Sequence, residues 1–477
     1  MACDQYGVPA SGNQPESSGG QSIGFDNLNR HRLRKKLPLL GVLAWLAALL
    51  AGYVVGLAWF QAQIYPQYSF ADLIVPRLID ATIVSWLIYF CSSIGSFLNV
   101  VAWRLPRGES IGGRSRCPRC ACTLNSRDNV PVLGWISLGG RCRFCSLPIS
   151  RRYPIVEALV GISLTVVGVC EIYSLSLPGQ IMHWHGGPLW APHVTPILLG
   201  ILTYHAVLLS TLWGMALIRI DGARLPNGLT VFAALAAIVP MLAFPTLMIV
   251  PWQTTRPSLW SPHGLYFDAV MRVVTALVAA ALFGRVLAKG LCPSADLKLN
   301  PLGSGTARLV DLIVMLSIPA ILIGWQSMPA LVIASAILAF LTRPLLNWIP
   351  INDGPKGQIA ARGAMESFSF ALPLATTLHL ALWRMLWSDP YWPSDQSSRN
   401  VIIAAAAGVL LVPLFLRQRV AVAGPTPVAQ DDADPQPAIT ESTAIESAGD
   451  SADELPQDHG DGESDHGDHR GQHSPGA

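Results

Sequence analysis

Long apolar stretches recur along this chain, separated by short polar segments. Residues 37–60 contain no charged side chain, and further apolar stretches run over 81–103, 155–177, 195–218, 228–250, 268–288, 309–326, 328–342, 367–387 and 401–416. A helix needs about 20 apolar residues to cross the hydrocarbon core of a bilayer. The pattern therefore predicts an all-α polytopic membrane protein with about ten transmembrane helices. Three segments break the rhythm: a polar, basic start at 1–36, a long polar insertion at 104–154, and a polar tail at 420–477. The predicted organisation is a disordered basic N-terminus (1–36), two transmembrane helices (37–103), a small cytoplasmic domain (104–154), a membrane core (155–326), additional transmembrane helices (327–419) and a disordered acidic tail (420–477).

Composition agrees with the pattern. Hydrophobic residues make up 51% of the 477 and charged residues only 13%, half the usual charged fraction, which excludes an ordinary soluble enzyme. The net charge of +2 conceals an asymmetry: residues 424–477 carry 13 of the 30 acids and, of the 32 Lys and Arg, only Arg470. The rest of the chain is strongly basic, and its basic residues fall on alternate loops. The 104–154 segment holds ten Arg; Lys289, Lys298, Arg308, Arg343, Lys356 and Arg362 lie in later loops of the same parity, whereas 61–80, 178–194 and 251–267 hold only Arg77 and Arg256. Lys and Arg stay on the cytoplasmic side of a membrane. This predicts an inner-membrane protein with both termini cytoplasmic, whose basic body reflects its topology in lipid; no nucleic-acid partner is implied. The run Arg30–Lys36 before the first apolar stretch predicts an uncleaved span, since that stretch is too long for a signal peptide.

The insertion carries the clearest chemistry. Cys117-Pro-Arg-Cys120 and Cys142-Arg-Phe-Cys145 are two CxxC pairs separated by 21 residues, a spacing that presents four thiolates tetrahedrally to one Zn²⁺. Disulfides are the competing reading, disfavoured in a reducing cytoplasmic loop. Four Cys close the coordination shell, so such a zinc is structural. Cys122 lies beside the first pair as a bystander or a substitute ligand, and the lone Cys91, Cys170 and Cys292 read as buried small side chains.

Acids at the ends of spans are the candidates for reactivity. Asp221 follows the 195–218 stretch in Arg219-Ile220-Asp221-Gly222-Ala223-Arg224-Leu225-Pro226-Asn227, and Asp296 follows 268–288 in Cys292-Pro293-Ser294-Ala295-Asp296-Leu297-Lys298-Leu299. Two carboxylates brought together at a half-dry boundary would share a proton, and such a pair can activate water and protonate a leaving amine. A solvated helix end explains each Asp taken singly. Other acids compete. Glu157 reads as acting at the start of its helix or pairing with Arg151 or Arg152, Asp311 as a first-turn residue favoured by the helix dipole, and Asp353 as a loop residue; Glu171 and Glu366 also lie in or near spans.

The ordered set Gly95-Ser96-Phe97-Leu98-Asn99, Arg104-Leu105-Pro106, the two CxxC pairs with Asp128-Asn129-Val130-Pro131-Val132-Leu133-Gly134-Trp135 between them, and Arg152-Tyr153-Pro154-Ile155-Val156-Glu157 resembles the type IV prepilin peptidase family, membrane aspartic proteases of the GxGD class. The resemblance covers about residues 90–325. It implies that Asp221 and Asp296 are the catalytic pair, that the substrates are prepilin or pseudopilin precursors cut at the cytoplasmic membrane face, and that a second activity N-methylates the new N-terminus from S-adenosylmethionine. Gly95 lies in the stretch associated with that methyl transfer. Pro293 and Ala295 stand where the family has the two glycines of GxGD. That departure makes a noncatalytic zinc-ribbon homologue, one that binds or assembles pilin-like proteins, the alternative reading. A transporter is a third, and it leaves the CxxC segment unexplained.

Overall fold

A computed structural model describes residues 39–117, 119–179, 194–253, 264–295, 298, 300–348 and 363–417. The predicted disordered segments 1–36 and 420–477, together with Asp296 and Asp353, lie outside the described residues. The described residues fall in one compact unit.

The fold is a helical bundle, with no named strand among the described residues. Among the described residues, seven helices are long and apolar enough to cross a membrane: α1 (Leu39–Ile64), α2 (Phe70–Arg104, continued to Arg107), α3 (Arg152–Ile172), α4 (Pro196–Ile220), α6 (Leu265–Leu291), α7 (Ser304–Ile323) and α8 (Met328–Trp348). The other expected spans are helices too: α5 (Asn227–Ala243), α9 (Ala364–Ser388) and α10 (Arg399–Val409), the last followed by the short α11 (Val412–Phe415). At 17 residues α5 spans about 25 Å. In α9 the apolar run is broken by buried Ser367, Ser369, Thr376, Thr377 and His379. Thr376 and Thr377 donate their hydroxyls to the carbonyls of Leu372 and Pro373, each at 2.8 Å, which satisfies them inside the bundle.

The largest departure from the sequence reading is α2, expected over 81–103. It begins eleven residues earlier because Ser69 and Asp72 form a reciprocal capping box, and Asp72 accepts the Ser69 N–H at 3.0 Å. Over its 35 residues α2 is about 52 Å long, well beyond the hydrocarbon thickness. Two charged residues in its added turns, Arg77 and Asp80, are buried. Arg77 donates to Gln61 of α1 and lies 5.3 Å from the Tyr53 ring centroid, while Asp80 accepts from Tyr53 of α1 and, at 2.8 Å, from Tyr173 at the end of α3. These contacts fasten α1, most of whose surface is otherwise exposed.

The centre of the bundle is α4. Trp213, Leu208, Leu209, Leu212, Met215 and Ile218 are fully buried, and Trp213 meets Phe370 of α9 edge-on at 5.7 Å. Helix α9 is tied to the end of α3 as well, through Arg384, which donates to the carbonyls of Ser174 and Leu177 at 2.9 and 3.0 Å. Within the bundle Glu171 pairs with His205 of α4 at 2.5 Å.

Candidate functional site

The cysteine segment between α2 and α3 is built from one turn used twice. In the first copy Cys117 donates its N–H to the Cys122 carbonyl at 2.9 Å, Ala121 donates to the Cys117 carbonyl, and Arg116 bridges to Thr123. Shifted by 25 residues, Cys142 donates to Leu147 at 2.9 Å, Ser146 donates to Cys142, and Arg141 bridges to Pro148. Ala121 and Ser146 occupy the same left-handed position, with φ of 55° and 57°. Each turn aims two sulfurs inward. The four Sγ atoms of Cys117, Cys120, Cys142 and Cys145 all lie within 4.8 Å of one another, with 4.0 Å from Cys117 to Cys145 and 3.9 Å from Cys120 to Cys142. Four sulfurs at the Zn–S distance of about 2.3 Å in a tetrahedron are about 3.8 Å apart, so the cluster fits Zn²⁺ with little rearrangement. Burial pushes the Cys117 thiol up to about 12. Burial also acts upward on Cys142, but the backbone N–H groups of Cys145 and Phe144 and the neighbouring thiols outweigh it, and that thiol falls to about 7. Cys122 contributes its carbonyl to the first turn and is not one of the four.

The residues between the turns brace the module. Asp128 receives a two-pronged contact from Arg143, at 2.6 and 2.9 Å, and Trp135 donates its indole N–H to the Ile149 carbonyl at 3.1 Å. One side chain then seats the module on the bundle: Glu157 of α3 accepts the Val132 N–H at 2.6 Å, while Asn99 of α2 ties α2 to the first turn of α3 by donating to the Tyr153 carbonyl at 3.3 Å. Glu157 therefore holds the module's backbone and does not pair with Arg151 or Arg152 as expected. Gly95 makes this seating possible: a Cβ there would lie 2.9 Å from the Glu157 Cα, so the α2–α3 approach requires glycine. Asn99, Trp103, Arg104, Asp128, Tyr153 and Glu157 line a cavity of about 540 Å³ between module and bundle. Asn99 is buried, and its Oδ1 makes no hydrogen bond.

Asp221 lies beside this assembly as the C-cap of α4, and the first residue of α3, Arg152, donates to its Oδ1. The pair is almost dry: Arg152 is 1% exposed and the Asp221 side chain 7%. The chain then turns through Gly222, whose φ is +76°. The turn is held from behind. Arg219, fully buried, donates to the Ala223 carbonyl at 2.9 Å and to Asp311 of α7 at 3.3 Å, and Asp311 also accepts the Leu225 N–H at 3.4 Å. The sequence pattern puts Asp311 in a first turn. Helix α7 begins at Ser304, so Asp311 lies about two turns in, where the dipole of the helix terminus has faded.

Asp296 lies outside the described residues, but the chain leading to it is tightly set. Cys292 to Ala295 forms a turn closed by the Ala295 N–H to the Cys292 carbonyl at 2.9 Å, with Pro293 at its second position. A Cβ on Gly305, at the start of α7, would lie 2.3 Å from the Ser294 carbonyl oxygen, so this turn rests directly on α7. Pro suits the second position of such a turn. Neither Pro293 nor Ala295 takes a positive φ.

The sequence singled out Asp221 and the four cysteines. It missed Arg152 as the counter-charge of Asp221 and Asp311 as an anchor of its loop, because both contacts join positions 69 and 86–92 residues apart. The only sequence signal was a basic residue beside the start of a span.

Comparison with known proteins agrees with this arrangement. A family profile described as the bacterial peptidase A24 N-terminal domain matches residues 89–170, which takes in Gly95, both CxxC turns and Glu157. The chain is 40% identical over 153 residues to the prepilin leader peptidase/N-methyltransferase of Myxococcus xanthus, covering 32% of this chain and 38% of that protein. It is 42% identical over 95 residues to the type 4 prepilin-like proteins leader peptide-processing enzyme of Escherichia coli O78:H11, covering 16% of this chain and 35% of that one. With these two it shares little more than a third of the relative's length. A longer match is the prepilin leader peptidase/N-methyltransferase of Dickeya chrysanthemi, 31% identical over 311 residues, or 59% of this chain and 88% of that protein. No solved structure matches. With most of a relative's length aligned, and with the cysteine module seated on a helical membrane bundle, the chain belongs to the type IV prepilin peptidase family.

Proposed function

We propose that this protein is a membrane aspartic endopeptidase that removes the leader of prepilin-like or pseudopilin precursors at the cytoplasmic face of the inner membrane, with Asp221 and Asp296 as its catalytic pair. The observation that carries the reading is the placement of Asp221. It caps a buried helix at the end of the bundle that bears the cysteine module, held by Arg152, in a chain whose relatives are named for leader processing. Arg152 keeps a carboxylate in a dry pocket, where it can polarise an attacking water with a second carboxylate as its partner. The turn Cys292–Ala295, resting on Gly305, supports Asp296 as that partner, since the substitutions at the two glycine positions fit their backbone. The test is a leader-cleavage gel shift on a precursor with a basic leader, a terminal Gly and an apolar helix. Wild type should cut, and Asp221→Asn should leave the precursor intact while melting as wild type does. Normal cleavage by Asp221→Asn would remove the assignment.

The four-cysteine cluster is proposed to hold one structural Zn²⁺, which locks the two turns together and leaves no open position for water. For the second activity, the 540 Å³ cavity is of the size that takes a nucleoside cofactor. Asn99, with its unpartnered oxygen, Trp103, Tyr153 and Glu157 would hold S-adenosylmethionine there, which supplies a methyl group to an amine. Gly95 acts in this scheme by letting α2 and α3 close on the cavity floor. Equilibrium binding of labelled S-adenosylmethionine to wild type and Asn99→Leu tests the site without reference to methyl transfer.

A further inference from the structure

Arg219 and Asp311 form a buried charge pair that the proposed reaction does not use. Arg219 is fully buried and Asp311 is 5% exposed. Burying such a pair is costly, and it persists where both partners also make other hydrogen bonds. Here those other bonds all go to one place. Arg219 Nη1 donates to the carbonyl of Ala223, and Asp311 Oδ2 accepts from the amide of Leu225. Both are loop backbone groups, two and four residues after Asp221. The loop is short and turns at Gly222, so its backbone has few other ways to be fixed. Glu366, at the start of α9, is a second acid whose charge acts on Arg219, and it offers no contact to the loop backbone among those described. Asp311 and Arg219 thus fasten the far side of the Asp221 loop, while Arg152 holds its carboxylate on the near side.

We infer that Asp311, acting with Arg219, is a positioning residue that fixes the loop bearing Asp221. The role rests on the peptidase reading, because it concerns the aim of the Asp221 carboxylate at a bound precursor. A displacement of about 1 Å at a reacting group costs up to about a hundredfold in rate. Substrate binding along the apolar helix should barely change.

The experiment has two arms, run on the full chain in detergent with wild type, Asp311→Asn, Asp311→Ala and Asp311→Glu. In the first, amide hydrogen exchange is followed over residues 219–226. Asp311→Ala should speed exchange in this segment by about tenfold or more, with α4 itself unchanged and the zinc content retained. Exchange as slow as in wild type would overturn the inference whatever the activity. In the second arm, precursor cleavage is resolved into kcat and KM. Asp311→Asn should lower kcat by roughly tenfold to a hundredfold, with KM within about threefold, and Asp311→Glu, which keeps the charge for Arg219, should recover part of the loss. A rise in KM at constant kcat, or unchanged kinetics beside faster exchange, would also overturn it. A collapse of all three variants to unfolded protein would mark Asp311 as a general stabiliser and refute the specific role. If Asp221→Asn cuts as well as wild type, the peptidase reading fails and the positioning role fails with it; the exchange arm then still decides whether the loop is pinned.

Discussion

Arg152 and Asp221 show what a single residue's neighbours add to its sequence context. The sequence marked Asp221 because a carboxylate at the end of an apolar run needs a reason to be there, but the reason came from Arg152, which starts a different helix. The pair has side-chain exposures of 1% and 7%, so removing one partner leaves a dry, uncompensated charge, an effect of about 3 kcal/mol. Arg152→Met should therefore lower the melting temperature in detergent. Adding Asp221→Asn should restore much of it, since the second change removes the orphaned charge; a double variant that melts no higher than Arg152→Met would refute this account of the pair. Asp311 departs from its sequence context for an equally local reason. The apolar run suggested a helix starting near 309, whereas the polar residues Ser304, Thr306 and Arg308 are its first turns. Hydropathy cannot register helical turns that lie outside the apolar stretch, and the same blindness hid the beginning of α2.

At the scale of the element, the cysteine turns were legible as ligands but not as a repeat. Outside the cysteines the two copies share almost no side chains. What recurs is backbone: the same pair of N–H to carbonyl bonds and the same left-handed residue, filled by Ala121 in one copy and Ser146 in the other. Metal analysis of reduced protein should return about one zinc per chain. Cys142→Ser should lose it and loosen the module, read as faster protease cutting between residues 108 and 150; retention of zinc by that variant would refute the four-sulfur site. The Cys292–Ala295 turn makes the opposite point, because the sequence departs there from the family pattern while neither Pro293 nor Ala295 takes a positive φ. Pro293→Gly and Ala295→Gly, which restore the family pattern, should leave cleavage within about twofold of wild type and should lower stability by about 1 kcal/mol through a freer unfolded chain. A large gain in activity would mean that the turn is damaged after all.

For the molecule as a whole, the sequence suggested a peptidase core over 155–326 with later helices added to it. The helices after Gln326 are instead structural partners of that core. Phe370 packs on Trp213 at the centre of α4, Arg384 closes the carbonyls at the end of α3, and Pro413 and Leu416 press on Gly290 at the end of α6, where a Cβ would lie 2.5 Å from the Leu416 carbonyl oxygen. Apolar runs located a described helix at each of the ten expected spans. They could not give this interlocking, because pairing between spans in lipid is set by close packing and internal hydrogen bonds, to which hydropathy is blind. The match to the Dickeya chrysanthemi protein covers 59% of this chain, so a relative of the family need not contain all of these helices. In this protein, a chain ended after Gln326 would leave Trp213 and its neighbours on α4 facing lipid and would strip Arg384 from the carbonyl of Leu177. Unpaired backbone groups within a membrane protein cost several kcal/mol each. The truncated chain should therefore fail to give a monodisperse peak in detergent and should show no cleavage, while Phe370→Leu in the full chain should fold, melt lower than wild type and still cut. A stable, active truncation would mean that the later helices only lean on a self-sufficient core.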